Sequence, residues 1–485
     1  MYKEGMKRTK IVCTLGPASR SLETIKALAN AGMNVARLNF SHSNHSYHQE
    51  TIERIKQVRE ELGLPIAILL DTKGPEIRVK EFKDGQVELT EGQTFTFSPE
   101  ISIGDNTKAG ISFSDLYKNV KVGTKIVLDD GNLELKVEKI ENKDVICSVT
   151  IGGILKNTKS LNVPCTVLDI PYLSAQDKED ILFGIQQDVD FIAASFTRCE
   201  QDVIDLQNFL DFNGGHEIKI IAKIENHQGI ENFDSILEAA DGIMVARGDM
   251  GVEVDYERLP GLQKRFIKQC YQHGKMVITA TQMLESMIEH PKPTRAEITD
   301  VANAVFDGTS AVMLSGETAV GKFPVKTVQT MVKIVTQAES DAFEMGTFQN
   351  IFYSNNNETT NAISDAACTT AKDLDAKAII ALTKSGRTAR RISKYRPHSL
   401  IIAATPSIKT FHQLALSWGV FPVLSRVIGN SDELFIHAID CAKTIGLVKE
   451  KDKVVIVAGL PLDISGNTNI LKVEVVGHRG RKANL

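Results

Sequence analysis

The sequence contains no apolar run of membrane-spanning length. Its purely aliphatic stretches, such as Ile66 to Leu70 and Val454 to Ala458, fall far short of the roughly 20 residues that cross a bilayer as a helix. Cysteine is scarce and scattered. The seven, Cys13, Cys147, Cys165, Cys199, Cys270, Cys368 and Cys441, are odd in number and hold no C-x-x-C pair. That argues against a zinc or disulfide framework and for reduced thiols in a cytosolic protein. Charge of one sign is lacking too: Lys plus Arg number 56 against 61 Asp plus Glu, a net charge of −5. No overall cationic field exists to hold nucleic acid or an anionic membrane, although a local basic site stays open. The first ten residues, MYKEGMKRTK, carry charge but no apolar h-region, so no secretory signal is expected and the expected location is cytoplasmic. With 24% charged and 42% hydrophobic residues, disordered and fibrous classes also fall away.

The 485 residues correspond to about three domains at roughly 150 residues each. Short β-branched runs alternate with helix-length segments in the rhythm of a parallel sheet. Eight such runs are Lys10 to Leu15, Val35 to Phe40, Ile66 to Asp71, Phe191 to Phe196, Lys219 to Glu225, Gly242 to Gly248, Met276 to Thr281 and Ala311 to Glu317. Eight parallel strands with intervening helices fit an α/β fold of the (β/α)8 TIM-barrel type, built from 1–74 and 171–342, although an open sheet alternates in the same way. Two helix starts carry capping boxes, Ser174-x-x-Asp177 after Pro171 and Thr294-x-x-Glu297 after Pro291 and Pro293.

Between the third and fourth runs, 75–170 shifts to period two, with turn signals at Asp129-Asp130-Gly131 and Gly152-Gly153. This reads as an inserted antiparallel β-barrel lid domain. An insertion after a barrel strand emerges at the catalytic face, where a lid belongs. Beyond a polar stretch containing Asn355 to Asn357, a new apolar rhythm at 378–383, 400–405, 420–425, 454–459 and 471–477 predicts a five-stranded C-terminal α/β domain over 343–485.

Buried parallel strands should be almost wholly hydrophobic, yet several of these are polar at the carboxyl end only. Arg37, Asn39 and Ser41; Lys223 and Glu225; Arg247 and Asp249; and Thr279 and Thr281 are each spaced i, i+2, so each set is expected on one side of its strand. Asp71 and Glu317 end two further strands. In a closed barrel those ends surround one pocket. Glu225 and Asp249 offer the oxygen environment that Mg²⁺ prefers. Lys223 and Arg37 supply positive charge for a phosphoryl group or a developing enolate. The set favours a small, multiply anionic substrate.

Long segments carry a resemblance. KIVCTLGPAS (10–19), NVARLNFSH (34–42), LLDTKGPEIR (69–78), IAKIENHQGI (221–230), MVARGDMGVE (244–253), ITATQMLESMI (278–288), PTRAEITDVANAVFDGTSAVMLSGETA (293–319) and ALTKSGRTAR (381–390) resemble the pyruvate kinase family. The likeness implies transfer of a phosphoryl group from phosphoenolpyruvate to ADP. It implies Lys223 as the catalytic cation, Glu225 and Asp249 as ligands of Mg²⁺ (or Mn²⁺), and Arg37, Gly248, Asp249 and Thr281 as substrate contacts, with Thr281 near proton delivery to the enolate. Asn39, Ser41, Asp71 and Thr72 match the family's K⁺ site, and Glu76 resembles the K⁺-dependent members. Arg78, Lys159 and His42 match nucleotide-contacting positions. The resemblance also implies a homotetramer.

In the C-terminal domain, TKSGRTAR follows the run AIIAL and opens a basic helix, so hydroxyls, a glycine and free backbone N–H groups meet at a helix N-terminus. It resembles the family's effector loop. That implies Thr383, Ser385, Gly386, Arg387 and Thr388 as contacts of a sugar-phosphate or nucleotide effector such as fructose 1,6-bisphosphate. The basic GHRGRK run from Gly477 reads as a solvated tail. Two other readings are a Mg²⁺-dependent barrel lyase or aldolase, which needs no nucleotide groove, and a metabolite sensor built on an inactive barrel.

Overall fold

The computed structural model describes residues 7–348, 358–460 and 467–477. The stretch Asn355 to Asn357, the first six residues and nearly all of GHRGRK lie outside the described residues. Eight parallel strands close into a barrel: β1 (Lys10–Thr14), β2 (Val35–Asn39), β3 (Ala67–Asp71), β4 (Phe191–Ala194), β5 (Lys219–Ile224), β6 (Gly242–Ala246), β7 (Met276–Ala280) and β8 (Ala311–Leu314). Each pairs with its neighbours in sequence order, and β8 pairs back to β1 through Lys10↔Ala311. The open-sheet alternative is thereby excluded.

Side chains alternate across the wall, as period two requires. Val12, Val35, Leu69, Phe191, Ile221, Met244, Ile278 and Met313 fill the interior. Their neighbours along each strand, such as Ala36, Ile68, Ile192, Ile220 and Val277, pack outward against the helices. Helix α1 (Ala175–Gln186) opens on the expected capping box, with Ser174 and Asp177 bonded reciprocally. The same carboxylate accepts from the backbone N–H of Gly74 at 3.0 Å, where the chain leaves the barrel for the insertion. One side chain therefore fixes both a helix start and the exit to the lid.

The insertion forms a seven-stranded sheet and two two-stranded ribbons around its own core of Phe95, Phe97, Leu135 and Val149. Pairing is antiparallel except at Thr96↔Lys108 and Glu81↔Ile103. The C-terminal sheet has the order β11 (Val420–Leu424), β10 (Leu400–Thr405), β9 (Ala378–Leu382), β12 (Lys453–Ala458), β13 (Ile470–Val475), with only β13 antiparallel. Among the described residues no helix is long and apolar enough to cross a membrane.

Candidate active site

Closure of the barrel brings the carboxyl ends of β2, β3 and β5 together, and their polar residues converge on one buried carboxylate. Asp71, 1% exposed, accepts from Arg37 Nε at Oδ2 (2.5 Å) and from Lys223 Nζ at Oδ1 (3.1 Å). Arg37 also donates to the Thr14 hydroxyl at 2.9 Å. Lys223 Nζ lies 2.9 Å from Glu225 Oε1. Burial disfavours the Lys223 ammonium, but Asp71 and Glu225 outweigh it and raise its pKa. Burial likewise works against the Asp71 carboxylate, and the two cations more than compensate and lower its pKa.

Glu225 sits just beyond β5, 1% exposed, with Oε2 accepting from the backbone N–H of Phe196 at 2.7 Å. Burial, with Asp249 nearby, pushes its carboxyl up to about 7. Asp249 is raised by burial too. Two close carboxylates out of water resist carrying full charge unless a cation joins them. Glu225 Oε1, 2.9 Å from the Lys223 ammonium, keeps a further lone pair that suits a metal ion. Among the described residues no group of three or more His, Cys, Asp or Glu side chains could hold a metal alone. Two carboxylates with the remaining positions left to substrate and water is an arrangement Mg²⁺ accepts.

The expected sets at the ends of β6 and β7 need correction. β6 stops at Ala246, and Arg247 to Glu253 form helix α2, so Arg247 and Asp249 do not share a strand face. The Arg247 guanidinium turns outward and bonds Asp300 (2.6 and 2.8 Å) and the carbonyl of Thr281 (2.6 Å). It anchors the loop after β7. Thr279 also faces outward, between the interior residues Ile278 and Ala280, and its hydroxyl pairs with Thr309 at 2.9 Å. Thr281 reaches the site because its φ of 67° breaks the strand alternation. Its hydroxyl accepts from the Gly248 N–H at 2.8 Å and donates to the Ala280 carbonyl at 2.6 Å. Glu317 caps turns, accepting from the backbone of Leu284 (3.1 Å) and Ser315 (2.7 Å).

Asn39 and Asp71 are register partners across β2 and β3. Asn39 Oδ1 accepts from the Ser41 N–H at 3.1 Å, and Thr72 Oγ1 donates to the Ala193 carbonyl at 3.2 Å. This rim has three uncharged oxygen side chains and one carboxylate, a donor set suited to a monovalent cation. At the lid hinge, Arg78 Nε donates to Glu76 Oε2 at 2.8 Å, and its Nη1 to the Thr158 carbonyl at 2.8 Å. Lys159 pairs with Asp129 at 2.6 Å. Burial of the His42 imidazole, together with Arg78 and Arg37, lowers its pKa.

In the C-terminal domain, Thr383, Ser385, Arg387 and Thr388 line a pocket of about 100 Å³ that Ser425 and Arg426 complete from the facing loop. Gly386, at φ 78°, caps helix α3 (Arg387–Lys394) without a side-chain bond, and Thr388 pairs with Thr468 at 2.8 Å. Reading strand ends missed Ser195. It follows the apolar run of β4 and bonds Lys223 at 2.8 Å.

Cations set against a metal-competent acid pair, inside a barrel that carries its own lid, favour chemistry done by position and charge. In class terms this is a barrel phosphotransferase. A family model described as the pyruvate kinase barrel domain matches residues 6–328, and one described as the pyruvate kinase alpha/beta domain matches 361–474. The pyruvate kinases of Clostridium acetobutylicum and Clostridium perfringens are 48% and 46% identical, each over 97% of this chain and 100% of its own length. That of Staphylococcus haemolyticus is 48% identical over 97% of this chain and 81% of its own length. The chain belongs to the pyruvate kinase family.

Proposed function

We propose that this enzyme transfers the phosphoryl group of phosphoenolpyruvate to ADP, giving pyruvate and ATP. The observation carrying this reading is the Asp71 carboxylate held between Arg37 and Lys223 beside the buried Glu225–Asp249 pair. With all five ionised the cluster is one charge negative, three acids against two bases. Glu225 and Asp249 would hold a divalent cation, which would reverse that balance and supply Lewis-acid stabilisation of developing negative charge. Arg37 binds the substrate's phosphoryl, and Lys223 stabilises the charge that develops during transfer and on the enolate left behind. Gly248, Asp249 and Thr281 orient the three-carbon unit. Thr281, through its hydroxyl and a water, delivers the proton that converts enolate to pyruvate.

Asn39, Ser41, Asp71 and Thr72 hold K⁺. Arg78, Lys159 and His42 receive the nucleotide, whose phosphates displace Glu76 and Asp129 from the two cations. Thr383, Ser385, Gly386, Arg387 and Thr388 bind a sugar-phosphate or nucleotide effector, and the enzyme works as a cytoplasmic homotetramer. The test supplies phosphoenolpyruvate, ADP, Mg²⁺ and K⁺ and measures pyruvate and ATP together. Equal amounts of both support the reading. Pyruvate without ATP points to a lyase, and no product to a sensor. Titrating sugar phosphates and AMP against substrate affinity tests the effector site.

A further inference from the structure

Ser195 follows β4 and lies between the ends of β3 and β5, 2% exposed. Its Oγ is 2.8 Å from Lys223 Nζ, 3.0 Å from Asp71 Oδ1 and 2.7 Å from the Thr72 carbonyl. Its backbone N–H donates to Thr72 Oγ1 at 3.2 Å. A hydroxyl has one proton and two lone pairs, whereas an ammonium only donates. Oγ therefore accepts from Lys223, and its own proton goes to Asp71 or to the Thr72 carbonyl. The three protons of Lys223 are thus directed at Asp71, Glu225 and Ser195.

Those partners are not equivalent. Asp71 is shared with Arg37, and Glu225 belongs to the metal-competent pair. Ser195 is the uncharged one. A neutral acceptor can fix the direction of the ammonium without cancelling the charge it presents to a phosphoryl group. The site is also stiff, since a Cβ on Gly74 would lie 2.8 Å from the Ser195 carbonyl oxygen and 2.9 Å from its Cβ. The next residue, Phe196, at φ 52°, turns its N–H onto Glu225. One short segment after β4 thus serves both the cation and the acid.

We propose that Ser195 is a positioning residue that holds the Lys223 ammonium in line for the transferring phosphoryl group, an inference resting on the role of Lys223 proposed above. Its alternative is a purely structural tie between β3 and β4. The test compares Ser195→Ala and Ser195→Thr in the full-length enzyme, each alone and with Lys223→Arg. Ser195→Ala is expected to lower kcat at least tenfold, about 1.4 kcal/mol, with a smaller change in KM for phosphoenolpyruvate. Ser195→Thr, which keeps the hydroxyl, should recover most of the loss. Adding Ser195→Ala to Lys223→Arg should cost less than about twofold, because the effect runs through an ammonium no longer there.

A crystal structure of Ser195→Ala needs no turnover and should show Nζ moved by more than about 0.5 Å, a displacement that matters in a preorganised site. An unchanged Nζ, a kcat within twofold of the parent, or the same tenfold loss in both backgrounds would overturn the proposal. If Ser195→Thr does not fold by circular dichroism, the Ser195→Ala cycle decides. A parent enzyme that makes no ATP would refute the proposed reaction, and the displacement of Nζ would still decide the role of Ser195.

Discussion

Binding of Mg²⁺ to the metal-free enzyme should release a proton at pH 6 and almost none at pH 8. The cause is the Glu225 carboxyl, which burial and Asp249 push up to about 7. A metal ligand must be deprotonated, so the metal competes with that proton. From Glu225 alone, binding at pH 6 releases about 0.9 proton and at pH 8 about 0.1, and the apparent affinity is about tenfold weaker at pH 6. The sign for folding runs the same way. A raised carboxyl pKa means that the fold binds the proton more tightly than the unfolded chain does. This contribution to metal-free stability is therefore complete below the ordinary carboxyl value of 4.5 and is lost as pH rises through about 7. Titration calorimetry in buffers of different ionisation enthalpy reads the released proton directly. Glu225→Gln should bind Mg²⁺ far more weakly and lose the linked release. Affinity and proton release that do not change between pH 6 and 8 would refute the reasoning.

Lys223→Ala should abolish phosphoryl transfer and leave the far-ultraviolet circular dichroism intact, and near-normal turnover would defeat the mechanism. Glu76→Lys puts a fixed positive charge in place of the carboxylate now bonded to Arg78. It should weaken the K⁺ requirement, and steady-state rates with and without K⁺ check this. Gly74→Ala forces a Cβ into a φ of +70° and against the Ser195 backbone. It should destabilise the barrel by about 1–3 kcal/mol and lower kcat, measured by thermal unfolding and turnover on one preparation.

The barrel was legible because its strands are buried on both faces and so interrupt the sequence as apolar runs. The capping boxes at Ser174 and Thr294 hold with both reciprocal bonds, since their signal is local and needs no tertiary context. The i, i+2 rule grouped Arg37, Lys223 and Glu225, and the structure brings these three together around Asp71. It failed for Arg247 and Thr279 because alternation holds only while the chain stays extended, and a helix begins at Arg247. The φ of Thr281 restores by a bend what its strand parity would deny. Ser195 carried no sequence signal. A lone serine after an apolar run gains its meaning only when closure sets β4 between β3 and β5.

Whether Glu225 and Asp249 share one metal ion beside Lys223 is decided by anomalous diffraction from crystals soaked in Mn²⁺. A single peak about 2.1 Å from carboxylate oxygens of both Glu225 and Asp249, on the side facing Lys223, is the expected result. Manganese bound elsewhere, with these two carboxylates still paired to protein groups alone, would contradict the account.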